Sequence, residues 1–174
     1  MKKIGLLSDT HGYVPARLLE LFGECDEIWH AGDWGPIAVY DTLQLLKKPI
    51  RGVYGNIDGP PLRGMFKKNE RFLCEGVDVL ITHIGGYPGR YSLDIKQEIK
   101  QNPPQLFICG HSHILKVMRD PKSNNLLHIN PGAAGNHGFH KVKTAVRFSL
   151  DKGSISNLEV IEFGPRSVIA DTSS

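Results

Sequence analysis

Five apolar runs in this chain each end in a residue able to bind a metal ion, and that coincidence limits the possible folds severely. The segments are IGLLSDTH (4–11), EIWHAGD (27–33), IRGVYGN (50–56), VDVLITH (77–83) and LFICGHSH (106–113). Each reads as a buried strand that stops at once in Asp, His or Asn. Strands laid side by side would bring these ends to one edge of a sheet. That edge would carry Asp9, His11, Asp33, Asn56, His83, His111 and His113. The set offers more nitrogen and oxygen donors than one ion needs and about enough for two.

The connections between the runs suit such a sheet. Pro15 stands where a first helical turn begins, and Leu18, Leu19 and Phe22 form one apolar face. Pro36 opens a second helix bearing Val39, Leu43 and Leu46. With strands at 3–8, 26–30 and 50–54, the β-α-β-α-β rhythm predicts parallel strands with right-handed crossovers. The pattern then changes. RFLCEGVDVLITH predicts a hairpin turning at Glu75-Gly76, followed by a helix over 92–101 and a strand over 105–109. Strands at 115–119, 126–130, 143–150 and 154–162 complete the chain, with a turn at Asp151-Lys152-Gly153. We expect a single α/β (α+β) domain over 1–164, with two packed sheets, and a frayed tail over 165–174.

Composition narrows the function classes. The formal charge is only +3, and the pairs Lys2-Lys3, Lys47-Lys48 and Lys67-Lys68 are dispersed, without aromatic interleaving. No specific nucleic-acid surface is expected. No apolar run approaches the roughly 20 residues that span a bilayer, so no membrane association is expected. The chain enters a strand at once, so no leader segment is expected. Cys25, Cys74 and Cys109 form no CxxC pair, and Cys109 lies in an apolar run. Buried free thiols in a reducing cytoplasm are the expectation. A homo-oligomer is compatible with the chain.

Asp9-x-His11 and His111-x-His113 would each place two donors on one face of an extended segment, because strand side chains alternate with period two. The donor set mixes imidazole, carboxylate and amide and has no thiolate. It suits Mn, Fe, Zn, Ni or Co better than Mg or Ca, and Mn²⁺ is the expected metal. A shared Asp could hold two ions about 3.5–4 Å apart. Two divalent ions carry more positive charge than Asp9, Asp33 and a bridging hydroxide neutralise. The site would therefore attract an anion such as a phosphate ester.

The ordered series D-x-H (9–11), G-D (32–33), G-N (55–56), T-H (82–83) and G-H-S-H (110–113) resembles the calcineurin-like metallophosphoesterases. The short chain and INPGA (129–133) are similar to the small bacterial and archaeal phosphodiesterases of that superfamily. The resemblance covers about residues 3–163. It implies a four-layer αββα sandwich of two mixed sheets flanked by helices. Asp9, His11, Asp33 and His113 would hold the first metal ion. Asp33 would bridge to a second ion held by Asn56, His83 and His111. The implied reaction is hydrolysis of a small phosphodiester by a metal-bound hydroxide. Asp33 and Asn56 stand closest to the chemistry, and Asn56 would also touch a phosphate oxygen.

Departures from the family pattern sharpen this. Many relatives read G-N-H-D/E, whereas this chain reads Gly55-Asn56-Ile57-Asp58. Isoleucine cannot protonate a leaving group, a role worth about 100- to 10,000-fold. Diesters with good leaving groups are therefore expected over alkyl monoesters. Gly85 replaces the second histidine of T-H-G-H, and Ala133 replaces the serine of N-P-G-S. His30 is expected behind the donors rather than among them. Asp58 is read either as a carboxylate ordering the Asn56 loop or as a plain turn residue. His137 and His140, in GNHGFHK, are read as solvated or as a substitute acid for position 57. The rival to a phosphodiesterase is a non-catalytic metal-binding scaffold like the retromer subunit of this superfamily. A phosphomonoesterase is the third reading.

Overall fold

Alternation along the first strand builds two cores at once. In the computed structural model, which describes residues 1–166, β1 (Lys2–Leu7) sends Ile4 and Leu6 to one face and Leu7 to the other. Gly5 lies on the Leu7 face, where an added Cβ would come within 2.7 Å of the Phe22 ring. Its missing side chain lets α1 (Ala16–Phe22) settle directly on the strand. β2 (Glu27–His30) repeats the division, with Trp29 inward beside Ile4 and Ile28 outward beside Leu18. After α2 (Ala38–Gln44), β3 (Ile50–Gly52) joins in parallel, as β1 and β2 do.

The chain continues through α3 (Pro60–Met65), the hairpin β4 (Asn69–Cys74) and β5 (Val77–Thr82), and the small hairpin β6 (Gly86–Tyr87) and β7 (Arg90–Tyr91). Then come α4 (Leu93–Gln101), β8 (Leu106–Ile108), β9 (Leu115–Asp120), β10 (Leu126–Pro131), β11 (Val142–Asp151) and β12 (Ser154–Pro165). Two five-stranded sheets result, in the orders β12-β11-β1-β2-β3 and β4-β5-β8-β10-β9. Both are mixed: β1, β2 and β3 are parallel in the first, as are β5, β8 and β10 in the second, and hairpin partners add antiparallel edges.

The sheets pack face to face through Ile4, Leu6, Trp29, Val79, Ile108 and Phe148. The outer face of the first is covered through Leu18, Phe22, Val39, Leu43 and Leu62 of the first three helices. Ile95 and Ile99 of α4 cover Leu80, Phe107 and Leu126 on the outer face of the second. This is the four-layer sandwich expected from the sequence.

The expected hairpin turns are present. Glu75 and Gly76 have φ of +49° and +78°, and Lys152 and Gly153 have +47° and +81°, the left-handed pair that tight two-residue hairpins require. The two tips meet, with Gly153 N donating to Glu75 O at 2.7 Å.

Other details differ. The strand expected over 50–54 stops at Gly52, because Val53 makes only an isolated bridge to Lys67. The helix α3 and the β6–β7 hairpin were not expected. Each is too short to show a hydrophobic period, and α3 buries only Leu62. Of the expected tail, Pro165 belongs to β12 and Arg166 donates its backbone N to Lys141 O, while 167–174 lie outside the described residues. Cys25, Cys74 and Cys109 are buried and free. Among the described residues, no helix is long and apolar enough to cross a membrane.

Candidate metal centre

The loops that leave the central strands are tied to one another by their backbones. Asp9 N donates to Gly32 O at 3.0 Å, His11 N to Asp33 O at 3.1 Å and Gly110 N to His83 O at 3.0 Å. Four strand ends are thus tied in two pairs, one from each sheet, and His111 N, donating to Asp9 Oδ2 at 3.0 Å, joins the pairs.

The donors do not meet as extended-strand alternation would have it. β1 ends at Leu7, and Asp9 and His11 follow in left-handed backbone with φ of +53° and +45°. Asp33 (+58°), His111 (+69°) and His113 (+61°) share that conformation. It is uncommon for residues with a side chain and costs on the order of 1–3 kcal/mol each. Such strain persists only where the surroundings over-determine it, and it clusters at functional sites.

The structure gathers the sequence-predicted donors into two groups able to hold a metal ion, Asp9/His11/His113 and Asp33/His83/His111. In the first, His113 Nε2 lies 3.1 Å from Asp9 Oδ1, and His11 Nε2 lies 3.8 Å from it. In the second, His83 Nε2 lies 3.2 Å from Asp33 Oδ2. Asp33 Oδ2 also faces the first group, 3.5 Å from His11 Nε2. Asn56 joins the second through its Oδ1, 3.1 Å from His111 Nδ1.

Hydrogen bonding decides which atoms point inward. His83 Nδ1 lies 2.7 Å from Ala31 O, which can only accept, so Nδ1 carries a proton and Nε2 is the nitrogen left to face the carboxylates, as a lone pair once a cation takes the place of its proton. Asp9 Oδ2 is satisfied by the Ser8 hydroxyl at 2.6 Å and His111 N at 3.0 Å, leaving Oδ1 for the centre. Asp9 Oδ1, His11 Nε2 and His83 Nε2 are buried without hydrogen-bond partners among the described residues. Buried polar groups of this kind call for an explanation. Cations at the two groups would satisfy all three, Asp9 Oδ1 and His11 Nε2 in the first and His83 Nε2 in the second, and the donor chemistry fits.

The charge balance agrees. Burial pushes the Asp9 carboxyl upward, but the His11 and His113 rings beside it outweigh that and hold it well below the usual range. Burial likewise opposes ionisation of Asp33, and His83 with the Ile57 amide brings it below its ordinary value. Burial lowers His83, yet Asp33 and Asp9 raise it on balance. Burial, with the nearby His83, lowers His111.

The supporting residues have distinct jobs. His30 is fully buried, accepts from Gly32 N at Nδ1 (3.0 Å) and contacts Thr10 Oγ1 at Nε2 (3.0 Å). It stacks on Trp34 at 3.8 Å, and burial pushes its pKa down to about 3. It therefore braces two donor loops from behind. Asp58 accepts from Asp33 N (3.0 Å), Gly55 N (2.7 Å) and Gly35 N (3.0 Å), so it joins the Asn56 loop to the Asp33 loop. Its own N also closes a turn on Gly55 O at 3.2 Å.

Asn130 has an unanticipated role. Its Nδ2 donates to Gly110 O and to Ser112 Oγ, each at 3.0 Å, and thereby braces the loop carrying His111 and His113. The Asn-Pro-Gly turn was the signal available in the sequence.

His137 is exposed, with its ring 4.9 Å from that of His11. Both ring nitrogens of His140 are engaged, Nε2 with Gly135 O at 2.8 Å and Nδ1 with His113 Nδ1 at 3.2 Å. The Ile57 side chain is exposed, while its N donates to Asp33 Oδ1 at 3.1 Å. At position 85 there is no room for a histidine, because even a Cβ would come within 2.7 Å of Phe107 and Cys109. A cavity of about 280 Å³ adjoins Asn56 and His83, lined by Tyr54, Arg63 and Ile84. Another, of about 310 Å³, adjoins His111, lined by Tyr87, Lys116 and His128.

Comparison with known proteins agrees with this geometry. Residues 1–153 match the calcineurin-like phosphoesterase superfamily domain. The chain is 29% identical over 145 residues to Phosphodiesterase MJ0936 of Methanocaldococcus jannaschii, covering 75% of this chain and 82% of that one. Among solved structures, an archaeal phosphodiesterase superposes with a TM-score of 0.73 at 23% identity, covering 91% of this chain and 99% of its own. Vps29 of Entamoeba histolytica complexed with zinc gives 0.69 at 16% identity, covering 93% and 99%, and shows the shared fold. Left-handed loops carrying inward-facing carboxylates and imidazoles, on two sandwiched mixed sheets, thus have a family: the chain belongs to the calcineurin-like phosphoesterase superfamily.

Proposed function

We propose that this protein is a dinuclear metal-dependent phosphodiesterase. The observation that carries the reading is the convergence of three buried, unpartnered atoms, Asp9 Oδ1, His11 Nε2 and His83 Nε2, between the two donor groups. Asp9, His11 and His113 would hold one ion and Asn56, His83 and His111 the other, with Asp33, whose Oδ2 faces both groups, shared. Mn²⁺ is the favoured metal, with Fe, Ni or Zn as alternatives, on the mixed imidazole, carboxylate and amide set. When bound, such ions supply Lewis acidity toward a phosphoryl oxygen and lower the pKa of water toward about 7.

The chain's own residues do the rest. Asn56 Oδ1 is held on the His111 side, which leaves its amide N–H groups to donate to a phosphate oxygen. Ile57 N fixes the Asp33 carboxylate against that loop, and Asp58 fixes the Asp33 backbone N there. Ile57 offers no proton to the departing oxygen, so low-pKa leaving groups are favoured. The similarity to a phosphodiesterase supports diesters as substrates. The three buried free thiols support a reducing, cytoplasmic setting.

Turnover of bis(p-nitrophenyl) phosphate with Mn²⁺, lost in Asp33→Asn, is the expected result. A clear preference for an alkyl monoester would instead mark a monoesterase. No hydrolysis with Mn²⁺, Fe²⁺, Ni²⁺ or Zn²⁺ would favour a non-catalytic metal-binding scaffold.

A further inference from the structure

We propose that His140 is a positioning residue for the metal centre: it accepts the Nδ1 proton of His113 and so leaves the His113 Nε2 lone pair facing Asp9. The inference rests on reading the Asp9/His11/His113 group as a metal site.

The argument is one of donors and acceptors. His140 Nε2 lies 2.8 Å from Gly135 O. A carbonyl oxygen can only accept, so Nε2 bears the proton. Neutral His140 therefore presents a bare Nδ1, which lies 3.2 Å from His113 Nδ1. Two bare nitrogens would repel, so His113 must carry its proton on Nδ1. Its Nε2 is then the lone-pair nitrogen, 3.1 Å from Asp9 Oδ1. His83 reaches the same state by donating Nδ1–H to Ala31 O. A metal-binding imidazole needs such a partner to fix its tautomer and ring orientation. For His113 that partner is a side chain on a separate loop.

The loop is built for the contact. Arg166 Nε donates to His140 O at 3.1 Å, and Gly135 N donates to Asp9 O at 3.2 Å, anchoring the loop on both sides of the ring pair. Gly138 has φ of +128°, and a Cβ there would come 2.5 Å from His113 Cε1. Only glycine lets the backbone lie this close to the His113 ring. The two rings meet edge to face, with centroids 5.1 Å apart.

The test combines metal affinity with proton detection. Mn²⁺ titration of the full chain should show one of two sites weakened about 10- to 100-fold in His140→Ala. His140→Asn, whose Oδ1 stands close to the place of Nδ1 and can accept, should recover most of that loss. In wild-type protein loaded with Zn²⁺, ¹⁵N-edited NMR should show a slowly exchanging Nδ1–H on His113, exchanging fast in His140→Ala. A His113 proton on Nε2 in the wild type would overturn the proposal. So would an Ala variant that binds Mn²⁺ as tightly as wild type, or an Asn variant as weak as the Ala variant. Failure of the phosphodiesterase reading shows up separately, as two ions bound without turnover.

Discussion

Replacing Asp58 tests whether one buried carboxylate holds the two donor loops together. Asp58 is 3% exposed and accepts from three backbone N–H groups, those of Asp33, Gly35 and Gly55. In Asp58→Ala all three amides lose a charged acceptor. Hydrogen bonds to charged groups contribute about 1.5–3 kcal/mol each, so the lower end alone gives about 4.5 kcal/mol for three. Bonds that share one acceptor are coupled, and breaking a buried charged network typically costs about 3–5 kcal/mol. The expected loss is therefore about 3–5 kcal/mol, a large share of an ordinary domain stability of about 5–15 kcal/mol. Urea unfolding of metal-free protein at constant pH would measure it. The same variant should bind Mn²⁺ more weakly, because the Asp33 amide and the Asn56 loop are released together. A loss below about 1 kcal/mol with unchanged Mn²⁺ affinity would refute the reasoning, by showing that these loops stand without their carboxylate.

Other expectations follow from the same geometry. Burial lowers His30 to about 3 and His128 to about 4, so in the folded state both stay neutral where the unfolded chain, with pKa about 6.5, takes up protons. Stability of the metal-free protein should thus be full above about pH 6.5 and fall toward pH 4, by up to about 1.4 kcal/mol per pH unit for each ring. A flat urea midpoint over that range would contradict it. Mn²⁺ at about 100-fold its Kd should add about 2.7 kcal/mol per site to unfolding stability. Chelation should remove that increment, and identical melting curves with and without Mn²⁺ would argue against a folded-state metal site. Gly5→Ala should cost about 1–3 kcal/mol, because its Cβ would press into the Phe22 ring at 2.7 Å. Calorimetry showing no loss would mean that α1 can shift freely off its strand.

Much of the fold was legible because it depends on short-range periodicity. The strand-end donors, the parallel first half and both hairpin turns follow from runs of a few residues. The helix α3 and the β6–β7 hairpin were not legible, being shorter than any period that could reveal them. The residues of the two candidate groups could be named from the sequence, but their geometry could not: Asp9 and His11 meet through left-handed turns, not through an extended strand. The role of Asn130 was hidden inside a motif whose proline and glycine drew attention instead.

The sequence by itself determined which residue types stand at the strand ends and in what order, because local pattern specifies an element, its faces and where it stops. Only the tertiary structure decided which atoms are spent and which are left over. His111 N takes one oxygen of Asp9, Ala31 takes one nitrogen of His83, and His140 engages one nitrogen of His113. Those pairings join segments far apart in the chain and arise from packing two sheets and their loops. A lone pair points inward only when every other hydrogen-bonding choice around it has been used.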